Sequence, residues 1–363
     1  MEKLLKELVE CSTPSGFESV GNIKEIASRY IGNAEFDSIN NLVFLKGSKR
    51  EDAIKVMISA HYDENGFIVS DITKEGFLKV IACGGSDPKT REGSYVKVIS
   101  SNIDEHGNRI AYTGVIGKKA IHLETTEDRK KVDTIEDMII DIGFAKEDMR
   151  HIGVYIGSPV VFEKSFNDKF GKDGKYIVGN ALDDKIGVYC ITKVYDILDE
   201  ELLIKANIAV YCVWCSQEEV GLRGAQKISK NINPDISIDI DVCHDTLAFG
   251  GPKNQSKCEL GKGVCIEHSP ATNEKLVQEF REIAEKYIID YQDYASKAGS
   301  NNCSAIQLNS ENCKAIHLAI PNRNMHTQVE MCQWDDVDNC ISLMSAYITQ
   351  LATNEQKVYV SSK

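Results

Sequence analysis

The sequence predicts an α/β fold in which a mixed sheet, flanked by helices, is interrupted by a small β-barrel-like module. Short β-branched runs alternate with helical patterns in both outer parts of the chain, as in α/β proteins. Between about 67 and 165 the pattern changes to short strands separated by glycine-rich turns. We therefore expect one discontinuous catalytic α/β domain, residues 1–66 and 168–363, with residues 67–167 inserted as a β-rich oligomerisation domain.

The first part of the α/β domain should contain two helices and two strands. Apolar residues at helical spacing predict helices at 2–11 and near 18–31, and β-branched runs predict strands near 41–46 and 54–60. The inserted module then reads as short strands, with one helical stretch expected near 134–148. It lacks a low-complexity linker, so we expect it to be packed.

The second part of the α/β domain should alternate helices and buried strands. The sequence DDKIGVYCITKVYDILDE predicts a helix, NIAVYCVWCS a buried strand, GLRGAQKISKN a helix and DISIDIDVC a further strand. A last helix is expected to begin near Trp334.

Composition and charge limit the class of function. The formal net charge is −13, and the densest basic cluster is only Arg129-Lys130-Lys131, so nucleic acid is not an expected partner. No apolar run reaches the roughly 18 residues of a membrane span. The first residues, MEKLLKELVEC, mix charges with apolar positions, so we do not expect them to act as an export signal. The 12 cysteines are scattered, and the Cys212/Cys215 pair has no second pair to complete a zinc site. We expect a cytoplasmic protein with reduced cysteines.

Candidate functional residues follow the ends of apolar strands, where open α/β sheets build their sites. The stretch SAHYDENG ends one such strand. His61 and Asp63 lie two residues apart, so both side chains leave the same face of an extended chain. His61 could bind a metal ion while Asp63 orients a neighbouring group. The alternative is a hydrogen-bonded structural histidine.

Two pairs of adjacent acids follow the same rule. Asp183 and Asp184 precede a predicted helix, where they could cap it and complement its dipole or where one could bridge two cations. Glu218 and Glu219 follow the most apolar strand, where two carboxylates repel each other unless cations compensate. A metal ion beside one glutamate would leave the other free to transfer protons.

The last candidates are a strand acid and a loop histidine. Asp241 lies near the end of ISIDIDVC and shares a face with Asp239, and the loop residues His244 and Asp245 are alternative ligands. His326 lies in the loop IPNRNMHTQVEM. Two histidines with three carboxylates are the donor set that a pair of zinc or cobalt ions requires.

The order of these motifs resembles a known family. From about residue 10 to 350 the chain contains TPSGFE, AHYDENGFIV, GGSDP, GVIG, IHL, GNALDDKIG, SQEEVGLRGA, IDIDV and IPNRNMHTQVE. This series resembles the dinuclear-metal aminopeptidases of the glutamyl aminopeptidase and tetrahedral aminopeptidase family, metallopeptidase family forty-two. The resemblance implies a zinc-exopeptidase-like core, short peptides as substrates, and assembly into homo-oligomers from dimers to dodecamers.

The resemblance also implies a metal site. Two divalent ions per subunit are expected, zinc or cobalt, with manganese also suited to these ligands. By position in the motifs, His61 and Asp241 would bind one ion, His326 and Glu219 the other, and Asp183 would bridge them.

Two further roles and one backbone feature come from the same resemblance. Glu218 would be the general base and acid, and Asp63 would orient His61. A cis peptide bond is expected between Asp183 and Asp184.

Some features differ from the family pattern or allow other functions. Asn302 stands where an aspartate is expected, and Thr327-Gln328 replaces a Ser-Pro pair after the final histidine. Paired carboxylates also suit a glycan hydrolase, which needs no metal. A related amidase or deacetylase would share the metal ions, and a non-catalytic shell-forming protein is the remaining alternative.

Overall fold

The computed structural model describes residues 2–248, 256–297 and 301–353. The helices in these ranges are α1 Glu2–Glu10, α2 Ile23–Tyr30, α3 Leu182–Ile197, α4 Glu200–Ala206, α5 Arg223–Ile232, α6 Glu274–Tyr287, α7 Asn302–Asn309 and α8 Trp334–Ala352. The strands are β1 Leu42–Gly47, β2 Ile54–His61, β3 Gly66–Ile72, β4 Leu78–Cys83, β5 Tyr95–Ile103, β6 Arg109–Ile116, β7 Ile140–Asp141, β8 Pro159–Phe162, β9 Phe166–Phe170, β10 Tyr176–Gly179, β11 Ile208–Cys215, β12 Ile236–His244, β13 Val264–His268, β14 Tyr291–Ala295, β15 Lys314–Asn322 and β16 Glu330–Gln333.

A seven-stranded mixed sheet forms the centre of the α/β part, as predicted. Its strand order is β1-β11-β2-β12-β15-β13-β14. Strands β11, β2, β12 and β15 are parallel to one another, whereas β1 and β13 run antiparallel to their neighbours β11 and β15. The parallel strands therefore present their carboxyl ends at one edge of the sheet, where ligands bind in folds of this type.

Helices cover both faces of this sheet, which explains the nearly continuous apolar runs in its strands. Helix α3 packs on β2 and β12, and α8 packs on α3 and β15. On the other face α5 and α7 pack against each other, and side chains from both form an apolar cluster with Met57, Val213 and Cys215. Side chains of β11 are almost entirely buried.

The inserted segment forms a closed barrel with the strand order β3-β4-β7-β6-β5-β8. Its interior is filled by apolar side chains such as Phe67, Val80, Val98 and Val160. A three-stranded sheet, β16-β10-β9, follows the barrel.

The prediction of a helix near 134–148 is wrong. Two short 3-10 turns, Ile135–Asp137 and Lys146–Asp148, flank the two-residue strand β7. Ile135 and Met138 have the spacing of a helix, but they and Ile140 fill the barrel interior. Gly143 has φ +73°, which a right-handed helix does not allow.

The cysteines are unpaired, as predicted. All twelve are free, and eleven are buried. None of the helices in the described residues has the length and apolarity required to cross a bilayer.

Candidate metal centre

The ring of His61 lies at the carboxyl end of β2, in the middle of the candidate centre. Its side chain is only 1% exposed. Nε2 lies 3.1 Å from Asp183 Oδ1 and 3.9 Å from both Glu218 Oε2 and Asp241 Oδ1. One imidazole nitrogen therefore faces three carboxylates that come from three other parts of the chain.

Asp183 lies between the two histidines. Its Oδ1 faces His61 Nε2, and its Oδ2 lies 3.0 Å from His326 Nε2. The peptide bond from Asp183 to Asp184 is cis, as predicted. Although burial alone would raise it, the hydrogen bonds with the two histidines lower the pKa of Asp183.

The turn after β11 carries Glu218 and Glu219, and Asp63 holds it in place. Asp63 Oδ1 accepts a hydrogen bond from the Glu218 N–H at 3.0 Å, and Oδ2 accepts one from the Glu219 N–H at 3.3 Å. Glu219 Oε1 lies 3.4 Å from His326 Nε2. The predicted contact of Asp63 with His61 has a different geometry: His61 Nδ1 is 3.1 Å from the Asp63 main-chain oxygen but 3.6 Å from its carboxylate.

Asp241 is the acid of β12 that reaches the centre. Asp239, two residues earlier, is buried deeper and accepts hydrogen bonds from the Ser59 hydroxyl and the Cys303 N–H. Of the alternative ligands, Asp245 forms an ion pair with Arg323 at 2.7 Å. The His244 side chain lies at the rim of the adjoining cavity and is exposed.

His326 is fixed by its main chain. Its N–H donates a hydrogen bond to Glu330 Oε1 at 2.8 Å, and its carbonyl accepts one from Arg91 Nη2 at 2.7 Å. Glu330 Oε2 also accepts a hydrogen bond from the Asp183 N–H at 2.9 Å. Glu330 therefore holds the backbone of two predicted ligands at once.

All seven predicted site residues thus meet at the carboxyl edge of the sheet. The possible metal ligands form two sets, and within each set the donor atoms lie within 4.8 Å of one another. One set comprises His61, Asp184 and Asp241, and the other comprises Asp183, Glu219 and His326. Asp184 was expected only to follow the bridging acid.

These residues fit a pair of divalent cations. The donors are imidazole nitrogens and carboxylate oxygens, which suit zinc, cobalt or manganese. Asp184 Oδ2 is buried and has no hydrogen-bond partner, which a nearby cation would compensate.

The protonation equilibria reflect an excess of buried negative charge. Burial, followed by the repulsion of Asp183, raises the pKa of Asp241 well above its usual value and that of Glu219 to about 7. Burial likewise raises the pKa of Glu218, with Asp241 adding to the effect. The hydrogen bond to Asp183 raises the pKa of His326 to about 9. Cations in this centre would relieve the repulsion between the carboxylates.

A cavity of about 570 Å³ opens onto the cluster. Besides the acids and His326, neutral side chains line it, among them Leu222, Val242, Tyr294 and Met325. The site is therefore open on one side to a molecule larger than water.

No sequence pattern selects Arg91 or Glu330 as a site residue. Arg91 belongs to the inserted segment, more than two hundred residues from His326, and no local pattern relates the two. Glu330 lies four residues after His326 within the recognised motif HTQVE, so its position was available, but its role depends on the fold of the loop.

Comparison with known proteins identifies the family. The model of the M42 glutamyl aminopeptidase family matches residues 40–343. The lysyl aminopeptidase of Pyrococcus furiosus is 32% identical, over 96% of this chain and 97% of the relative.

Two solved structures have the same fold. The TET aminopeptidase of Thaumarchaeota archaeon SCGC AB-539-E09 is 29% identical over 96% of each chain, with a TM-score of 0.85. The TET1 peptidase of Pyrococcus horikoshii, described as assembling into a tetrahedron or a large octahedral shell, is 29% identical over 95% of this chain and 98% of that one, with a TM-score of 0.81. The chain therefore belongs to the M42 glutamyl aminopeptidase family and is a peptidase hydrolase.

Proposed function

We propose that the protein is a dinuclear metalloaminopeptidase that removes N-terminal residues from short peptides. The observation that carries the proposal is the position of Asp183, whose two oxygens face His61 Nε2 at 3.1 Å and His326 Nε2 at 3.0 Å. A carboxylate between two imidazoles is suited to bridge two cations. His61 with Asp241, and His326 with Glu219, complete the two ligand sets.

Zinc or cobalt is the proposed metal, and manganese would be accepted by the same donors. Such ions supply Lewis acidity and lower the pKa of water. Asp184, the second carboxylate near His61 and Asp241, contributes further negative charge that favours cations at this position.

Glu218 is the proposed general base. Its carboxylate lies 3.9 Å from His61 Nε2 but belongs to neither set of clustered donors, so it is free to move a proton. Glu218 takes the proton of the attacking water and returns it to the leaving amine.

The acidic character of the centre is the reason for proposing an exopeptidase. A free α-ammonium group would be attracted by the cluster of carboxylates, whereas an acetylated amine would not. Binding the amine beside the cluster places the first peptide bond near Glu218.

The test is hydrolysis of aminoacyl p-nitroanilides by chelator-treated protein, with and without added zinc, cobalt or manganese. We expect metal-dependent release from free-amine substrates and none from their N-acetylated forms. Glu218→Gln should lower kcat by about 10²- to 10⁴-fold with bound metal unchanged, and Glu219→Gln should weaken metal binding. Cleavage of a soluble glucan that survives chelation, with the anilides intact, would show that the protein is a glycan hydrolase instead.

We also propose that residues 67–167 form a unit that assembles a homo-oligomer in the cytoplasm. The barrel segment exposes large apolar side chains, Ile103 at 62%, Ile121 at 57% and Leu123 at 70%, and such surfaces mark protein contacts. The Pyrococcus horikoshii relative is described as assembling into a tetrahedron or a large octahedral shell. The unpaired cysteines support a reducing compartment.

Sedimentation tests the assembly. Leu123→Asp should lower the sedimenting mass, whereas Leu308→Asp, on an exposed leucine of α7 outside the segment, should not. A parent protein that sediments as a monomer would exclude the proposed assembly.

A further inference from the structure

Three cysteines form a compact cluster beside the metal centre. The Sγ atoms of Cys243, Cys258 and Cys265 all lie within 4.8 Å of one another, and their thiols are within hydrogen-bonding range. Cys258 and Cys265 are fully buried, and Cys243 is 4% exposed.

The sheet brings the thiols of Cys243 and Cys265 together above Ala319. Ala319 of β15 pairs with Asp241 of β12 on one side and with Cys265 of β13 on the other. Cys243 shares the face of Asp241, since it lies two residues further along β12. Because Ala319 carries only a methyl group, the side chains of the two flanking strands can meet above β15.

The third thiol is held by a short loop contact. The Cys258 N–H donates a hydrogen bond to Thr246 Oγ1 at 3.0 Å, and the Thr246 N–H donates one to the Cys258 carbonyl at 2.7 Å. These bonds tie Cys258 to the segment that follows β12.

We propose that Cys243, Cys258 and Cys265 bind a structural zinc ion that is separate from the aminopeptidase metals. Zinc–sulfur bonds of about 2.3 Å place three sulfurs on one tetrahedral ion about 3.8 Å apart. The three Sγ atoms already lie within 4.8 Å of one another, which is close to this spacing. The three cysteines would supply three of the four ligands of a tetrahedral zinc ion.

The charge of the surroundings favours a divalent over a monovalent thiophilic ion. Three thiolates with zinc carry one negative charge, whereas with Cu⁺ they would carry two. The negative charges of Asp245 and Asp336 act on Cys258 and Cys265 and disfavour additional negative charge there. His244 opposes this effect, and Arg323 pairs with Asp245.

Packing alone explains the cluster less well. Buried thiols do act as small apolar groups, and the remaining nine cysteines do so without forming another trio within the described residues. An ion at this point would also fix the end of β12, two residues beyond Asp241.

Cobalt(II) binding tests the proposal, because only sulfur ligands give a near-ultraviolet thiolate-to-cobalt charge-transfer band. The donors of the aminopeptidase centre are nitrogen and oxygen, so they contribute none. Protein purified under reducing, anaerobic conditions and loaded with Co²⁺ should show the band. Cys258→Ser and Cys265→Ser should each abolish it, whereas Cys303→Ser, at a buried thiol outside the cluster, should keep it.

Zinc content gives the second readout. Cys258→Ser should hold one zinc ion fewer per chain than the parent, and metal-dependent hydrolysis should persist because Cys258 does not line the cavity. Absence of the band in the parent, or its persistence in both cluster variants, would overturn the proposal. So would a disulfide within the cluster together with an unchanged zinc count in Cys258→Ser.

Discussion

Arg91 of the inserted segment donates a hydrogen bond from Nη2 to the main-chain carbonyl of His326 over 2.7 Å. The guanidinium is fully buried, bonds the Ser86 hydroxyl through Nε at 2.9 Å, and lies 4.5 Å from the centre of the Phe162 ring. His326 has φ 59°, so its loop depends on surrounding contacts to keep this backbone conformation. The barrel segment is thereby connected directly to a candidate metal ligand.

Arg91→Met should lower the metal affinity of the centre without abolishing metal binding. The variant keeps most of the buried volume but removes the hydrogen bond that holds the His326 loop, and contacts that orient a metal ligand contribute roughly 10-fold or more to affinity or activity. We expect the Co²⁺ concentration for half-maximal activity to rise by about 10-fold.

The matched control is Arg109→Met. Arg109 also donates a hydrogen bond to a main-chain carbonyl, that of Ser101 at 2.8 Å, but it is exposed and lies at the start of barrel strand β6. It should leave the metal titration unchanged. An unchanged titration for Arg91→Met in a folded protein would show that the contact with His326 does not position the ligand.

Asp63→Asn should lower kcat more than it affects substrate binding. Asp63 accepts the N–H groups of both Glu218 and Glu219 through its two carboxylate oxygens, and an asparagine can accept only one of them. We expect a loss of kcat of about 10- to 100-fold, measured with a saturating metal concentration.

Ser15→Ala is the control for this variant. The Ser15 hydroxyl also donates a hydrogen bond to Asp63 Oδ2, but its removal leaves both peptide contacts in place. Its effect on kcat should be much smaller. Equal effects of the two substitutions would contradict this role of Asp63, because Ser15→Ala leaves its hydrogen bonds to Glu218 and Glu219 in place.

The central sheet and the site could be predicted because their signals are local. Buried parallel strands read as apolar runs, and His61, Glu218 and Asp241 lie at or shortly after the carboxyl ends of such runs. Parallel strands bring their ends to one edge, so residues far apart in sequence could be placed together before any distance was known.

The remaining features depend on long-range geometry. The spacing of Ile135 and Met138 imitates a helix, although the barrel interior determines their conformation. Cys243, Cys258 and Cys265 lack the close spacing of a zinc motif, and only the strand order brings them together. The contact of Asp63 with the glutamate turn could not be distinguished from a contact with His61 by spacing alone.

Glu64→Gln should destabilise the protein strongly. The Glu64 carboxylate is 4% exposed and accepts hydrogen bonds from the Lys185 ammonium at 3.2 Å, the Thr13 N–H at 2.8 Å, and the Lys164 ammonium. Glutamine would leave two buried ammonium groups without a counter-charge, which costs about 3–5 kcal/mol. Denaturant titration in the presence of chelator measures this loss, and Glu35→Gln, at an exposed ion pair with Lys24, should change little.

The same carboxylate predicts a pH dependence. Although burial alone would raise it, the charges of Lys164 and Lys185 lower the pKa of Glu64 from 4.5 to about 2. A carboxylate whose pKa is lower in the folded state stabilises the fold fully above its unfolded pKa and loses that effect as the pH falls. The difference in unfolding free energy between the parent and Glu64→Gln should therefore shrink as the pH falls from 4.5 toward 2. A constant difference over this range would contradict the ion-pair explanation.

Substrate preference should follow the neutral walls of the cavity. Leu222, Val242, Tyr294 and Met325 line it, and among the described residues no lysine or arginine does. A charged side chain would lose its hydration there without a partner. We therefore expect leucyl and methionyl p-nitroanilides to have kcat/KM values at least about 10-fold above those of glutamyl and lysyl substrates.

The variant Met325→Asp provides the matched test of that preference. A carboxylate in the wall should raise kcat/KM for the lysyl substrate and lower it for the leucyl one, because it would pair with the buried ammonium group. Preference of the parent for the lysyl substrate, the activity after which the Pyrococcus furiosus relative is named, would mean that the cluster of acids rather than the neutral wall contacts the first side chain. The Met325→Asp variant would then change the two rates in parallel, which separates the two explanations.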